Sequence, residues 1–103
     1  MDSNVFQELK QSLTDLYQEK LVKIILYGSQ AKGTATTDSD VDILVVLKDE
    51  VSAFDEILRM AEITTTIGLK YDELISIFPI AESRFLTQLT PLLKNIKSQG
   101  IVL

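Results

Sequence analysis

Two chemically versatile side chains are missing from this sequence. It has no cysteine, which excludes a disulfide framework, a thiolate metal centre and a cysteine nucleophile. It has no histidine, which removes the usual proton carrier near neutral pH and the commonest transition-metal ligand. Any metal must therefore be held by oxygen, which points to magnesium, manganese or calcium. Positive charge is also in deficit: 10 Lys and Arg face 15 Asp and Glu, for a net charge of −5. A surface that neutralises phosphates is normally basic, so nucleic acid is a disfavoured partner. There is no long apolar run either. Val41 to Leu47 contains Asp42 and is far too short to span a bilayer, and Met1 to Lys10 lacks the apolar segment of a signal peptide. The expectation is a cytoplasmic protein with no membrane partner.

What is present is a globular composition, 46% hydrophobic over 103 residues, which suits one domain, 1–103, with a modest core. No segment reads as a repeat, a linker or a low-complexity tract. Val5, Leu9, Leu13 and Leu16 recur at helical spacing with Phe6 and Tyr17 on the flanks, and Asp2, Ser3 or Asn4 can cap that helix. Leu21 to Tyr27 and Val41 to Leu47 read as buried strands, separated by a turn at Gly28–Gly33 and a polar loop at Thr34–Ser39. Phe54, Ile57, Leu58, Ala61 and Thr65 mark a second helix that Gly68 should end. Tyr71 to Phe78 then gives a third strand stopped by Pro79, and Glu82 to Leu89 a short helix. Thr90-Pro91 is an N-cap followed by proline in the first turn, and Gly100 closes the last helix. The apolar residues near the end can cover the sheet or form a partner surface: Leu92, Leu93 and Ile96 are expected in the core, whereas the tail Ile101-Val102-Leu103 is harder to place there. The pattern predicts an α/β (α+β) domain: a small mixed sheet of three or more strands with helices packed mainly on one face. The short link between the first two strands allows antiparallel pairing.

The informative stretch runs from Tyr27 to Val46. A strand ending in Gly28-Ser29 and feeding a helical turn exposes unpaired backbone N–H groups that favour an anion. Gly28 lets a phosphate approach the backbone, Ser29 adds a hydroxyl donor, and Ala31 and Gly33 keep the turn close to the sheet. By itself this describes many strand-to-helix turns. Asp40 and Asp42 are two apart at the head of a strand, so both carboxylates share one face. Two like charges so placed resist ionisation without a counter-charge, and a divalent cation shared with substrate phosphates supplies one. An acidic turn in solvent would need no cation, but Asp42 stands inside an apolar strand, and no basic residue lies between Gly33 and Lys48. A third carboxylate is expected from the last strand. There Asp72 shares a face with Leu74 and Ser76, and Glu73 shares the other with Ile75 and Ile77. Whichever faces the aspartate pair can act as a base or a further ligand, with Asp72 preferred.

Gly28-Ser29-x-Ala31-x-Gly33 followed by Asp38-Ser39-Asp40-x-Asp42 and an apolar strand resembles the signature of the polymerase-beta-like nucleotidyltransferases. The short chain and the helix before the first strand are similar to the minimal branch of that superfamily, whose nucleotidyltransferase fold is then expected. The resemblance implies that Gly28, Ser29, Lys32 and Gly33 hold the triphosphate of ATP. It implies that Asp40, Asp42 and Asp72 coordinate Mg2+ (or Mn2+), and that Asp72 helps to orient or deprotonate an acceptor hydroxyl. Positions that often carry Arg in the family are Gln30 and Lys32 here, so Lys32 offers a phosphate a point charge without a bidentate fork. The resemblance further implies a partner: a helical HEPN-type toxin in a hetero-oligomer, adenylylated by this chain as its antitoxin. The residues after Phe78 suffice for one or two helices, so an acceptor is expected in trans. Two alternatives stay open, a non-catalytic binding module of the same fold, and a transferase acting on RNA or a small molecule with an acceptor-binding subunit.

Overall fold

The computed structural model describes residues 3–28 and 40–103. The elements run α1 (Ser3–Tyr17), a 3-10 turn (Gln18–Lys20), β1 (Leu21–Tyr27), β2 (Val41–Leu47), α2 (Ala53–Tyr71), β3 (Ile75–Ala81), α3 (Glu82–Thr87), α4 (Pro91–Gln99) and β4 (Ile101–Val102). The four strands form one mixed sheet in the order β3-β2-β1-β4. β1 pairs antiparallel with β2 and with β4, and β2 pairs parallel with β3, the connection between them passing through α2 as a parallel crossover requires.

The two central strands carry apolar residues at nearly every position because both faces are covered. On one face Val5, Leu9, Leu13 and Tyr17 of α1 and Met60 and Ile67 of α2 pack against Ile24, Leu26, Val41, Ile43, Val45 and Leu47. On the other, Phe85 of α3 and Leu93 and Ile96 of α4 pack against Ile25, Leu44, Val46 and Ile80. The long helices thus cover one face and two short ones the other. Each buried Leu, Ile, Val or Met contributes about 1.5–3 kcal/mol relative to an exposed one.

Several expectations are corrected. The buried stripe of α1 is the straight i, i+4 series ending at Tyr17, 7% exposed, not at Leu16, which faces solvent. Tyr17 buries its ring and donates its hydroxyl to Glu56 Oε1 (2.8 Å), which is how a tyrosine joins a core. On α2 the buried residues are Met60 and Ile67, whereas Phe54, Ile57 and Leu58 are exposed.

Gly68 does not end α2. It lies inside the helix, where a Cβ would come 2.7 Å from the Glu73 carbonyl oxygen, so the missing side chain lets the chain fold back on the last turn. Asp72 is the C-cap in the left-handed conformation (φ 54°), and the N–H groups of Asp72 and Glu73 both donate to the Gly68 carbonyl. Pro79 does not stop β3 either. It is buried and lies beside Val45, and β3 continues to Ala81 because an edge strand tolerates the missing donor. Thr90 caps α4 as expected, its hydroxyl accepting from Leu93 N–H (3.2 Å). Leu93 and Ile96 are buried, but Leu92 is 57% exposed. Ile101 and Val102 pair with Leu26 and Ile25 as an edge strand, and Leu103 packs on the first core face.

Candidate active site

β1 delivers the first part of the site. Its last residue, Tyr27, is followed by Gly28 at φ 77°, a conformation that a side chain would strain. A Cβ at Gly28 would come 2.5 Å from Asp42 Oδ2, so the glycine is what allows this turn and the carboxylate to meet. The antiparallel register places Tyr27 directly opposite Asp42, so their side chains share a face of the sheet. That face is the one covered by α3 and α4.

β2 delivers the second part. Asp40 precedes the strand and Asp42 is its second residue. Val41 between them is fully buried on the opposite face and donates its N–H to the Leu74 carbonyl (2.8 Å), which fixes the backbone between the two acids. Burial, and then the negative charge of Asp40, raise the Asp42 carboxyl above its ordinary range. Burial and the Asp42 charge likewise raise the Tyr27 phenol. Among the described residues no basic side chain forms an ion pair with Asp40 or Asp42. Two half-buried acids with an uncompensated mutual repulsion fit a divalent cation, and an oxygen-only donor pair fits magnesium or manganese.

The third carboxylate is not brought to this pair. Among the described residues no group of three or more acidic side chains converges on one point. Asp72 is exposed at the end of α2, three residues before β3 begins, and does not share a strand face with Leu74 and Ser76. The residue that the parallel register sets beside Asp42 is Ser76. Phe78, two residues further along β3, shares the face of Ser76 and is 50% exposed, and Leu74, just before the strand, is 67% exposed. Ser29, Lys32 and Gly33, with Ala31, Asp38 and the Thr34–Ser39 loop, lie outside the described residues.

A cavity of about 170 Å3 adjoins the turn, lined chiefly by Tyr27, Gly28, Leu92, Asn95, Ile96 and Gln99. Tyr27, Ser76, Asn95 and Gln99 were not singled out as functional from sequence. Tyr27 could have been, since antiparallel pairing of two strands that meet near Gly28 puts it opposite an acid.

The fold agrees with comparisons to known proteins. Residues 6–101 match the nucleotidyltransferase domain family, and the chain belongs to that family. It is 32% identical over 97 residues to a Methanocaldococcus jannaschii protein provisionally named a protein adenylyltransferase, covering 94% of this chain and 93% of that one. A second protein of that organism, named the same way, is 31% identical over 103 residues, covering 99% and 97%. The fold is similar to that of a toxin–antitoxin crystallised with AMP-PNP (TM-score 0.66, 22% identity, 99% of this chain and 72% of that one). It is also similar to a chain of the tri-AMPylated Shewanella oneidensis HEPN toxin in complex with its MNT antitoxin (TM-score 0.64, 20% identity, 99% and 71%). Among the described residues no helix is long and apolar enough to cross a membrane.

Proposed function

We propose that this chain transfers AMP from magnesium-bound ATP to a hydroxyl of a HEPN-type helical protein, and so serves as that protein's antitoxin. The observation that carries this reading is the meeting of Gly28 and Asp42, a bare backbone turn against a carboxylate with no cationic partner among the described residues. Asp40 and Asp42 would hold the ion. Magnesium, when bound, neutralises charge developing on the attacking and leaving oxygens. Gly28, with Ser29, Lys32 and Gly33, is assigned to the triphosphate. The acceptor oxygen bonds to the α-phosphorus as the bond to the α–β bridging oxygen breaks, and pyrophosphate leaves. The hydroxyl proton passes to a base beside the acceptor oxygen, the role assigned to Asp72.

A protein acceptor is supported by the names of the relatives and by the exposed Phe78, on the sheet face shared with Asp42, and the exposed Leu74 just before that strand, which offer apolar surface. The net charge of −5 argues against RNA. A contact-only antitoxin is the second reading, favoured by the absence of a third converging carboxylate among the described residues.

The test is to incubate the chain with α-labelled ATP, magnesium and a HEPN-type partner. Label on the partner that disappears with Asp40→Asn/Asp42→Asn supports the transferase. Neutralisation of the partner without any label transfer supports contact alone.

A further inference from the structure

We propose that the cavity between Tyr27 and α4 is the nucleobase subsite of this chain, and that Asn95 and Gln99 read the edge of an adenine. The inference rests on the nucleotide reading of the Gly28–Asp42 site and adds where the base goes and what selects it.

Continuity is the first argument. Gly28 lines the cavity and also abuts the Asp42 carboxylate, so a molecule with phosphates at that carboxylate enters the cavity with its other end. The lining chemistry is the second. Tyr27, Leu92 and Ile96 present mostly carbon, and no lining residue carries a charge. Such walls do not attract a phosphate, but they suit a flat, uncharged, polarisable ring. The volume of about 170 Å3 is on the scale of one such ring. Leu92 is the third argument. It is a large apolar side chain, 57% exposed on the cavity rim, and a ring in the cavity would cover it.

The carboxamides supply selectivity. Leu92, Asn95 and Gln99 stand at i, i+3 and i+7 on α4 and therefore share the face that lines the cavity. Asn95 and Gln99 are exposed, and among the described residues neither side chain is engaged by another group. A carboxamide sets a donor beside an acceptor, which complements the donor–acceptor edge of adenine; guanine is read better by a cationic fork.

The experiment is calorimetry on the full chain with AMP-PNP, GMP-PNP and inorganic tripolyphosphate, each with magnesium. AMP-PNP should bind roughly tenfold more tightly than tripolyphosphate, the scale expected of one stacked base. It should exceed GMP-PNP by about fivefold or more, the lower end of bidentate base discrimination. Asn95→Ala/Gln99→Ala should erase the adenine preference, and Leu92→Asp should weaken both nucleotides; neither should change tripolyphosphate binding. All three positions are solvent-facing, and a melting temperature near wild type confirms that each variant folds. The subsite is overturned if folded variants bind both nucleotides as wild type does, or if tripolyphosphate binds as tightly as AMP-PNP. Failure of all three ligands to bind wild type would instead remove the nucleotide reading itself, and the subsite with it.

Discussion

Replacing Asp42 by asparagine should stabilise the metal-free chain and abolish its response to magnesium nucleotide at once. The carboxyl is half-buried and sits near Asp40, so ionisation costs desolvation and repulsion. Two residues along a strand span about 6.8 Å, and across that distance two charges repel by roughly 0.6–2.4 kcal/mol at effective dielectrics of 80 to 20. Asparagine keeps the shape and removes the charge, so a gain of about 1 kcal/mol is expected, which raises the melting temperature of a domain this size by roughly 4–8 °C. The pH dependence has a definite sign. Because the folded carboxyl titrates above its ordinary value of 3.8, the folded chain binds more protons than the unfolded one between the two values. Wild-type stability in EDTA therefore falls as pH rises through that window, and the asparagine variant should lose this slope. Urea melts in EDTA, and again with magnesium and AMP-PNP, read both effects. The reasoning is refuted if the variant is less stable than wild type in EDTA, or if it retains the nucleotide-dependent gain.

Three further outcomes follow from the same geometry. Gly28→Ala puts a methyl at φ 77° and 2.5 Å from Asp42 Oδ2, so it should cost about 1–2 kcal/mol of stability and weaken magnesium nucleotide binding together; denaturation and calorimetry would show whether the two losses separate. Asp72→Gly suits the left-handed C-cap and removes the carboxyl, so stability should hold or rise by a few tenths of a kcal/mol; label transfer then reports the acceptor-side role alone, without a folding defect. Leu9→Ala, at a fully buried position facing the sheet, should cost about 2–5 kcal/mol in a urea melt and leave the nucleotide affinity of the folded fraction unchanged.

The centre of the fold was legible in the sequence because its signals were local. β1 and β2 fall at Leu21–Tyr27 and Val41–Leu47, where apolar runs bounded by Gly28 and Asp40 put them. The Asp40–Asp42 spacing and Gly28 likewise needed only a strand and a turn to be interpreted. The errors lie where tertiary contacts decided. Gly68 carries an ordinary helix-stop signal, yet its missing Cβ serves the return of Glu73 over the last turn while the helix runs on to Tyr71. That moved the start of β3 and took Asp72 off the strand. Pro79 reads as a strand breaker unless the strand is known to be an edge. Leu92 looks like core beside Leu93 until the helix is oriented by Leu93 and Ile96, and the tail became interpretable once β1 was seen to offer it an edge. Tyr27 and Ser76 gain their places beside Asp42 from register, which no single segment encodes.

The central claim, that the carboxylates beside the Gly28 turn bind a metal-bound nucleotide, is tested most directly by titrating AMP-PNP into the chain with magnesium and with EDTA. Saturable binding with magnesium that is lost in EDTA and in Asp40→Asn/Asp42→Asn is the result expected. Equal binding with and without the metal, or binding that survives the double substitution, would contradict it.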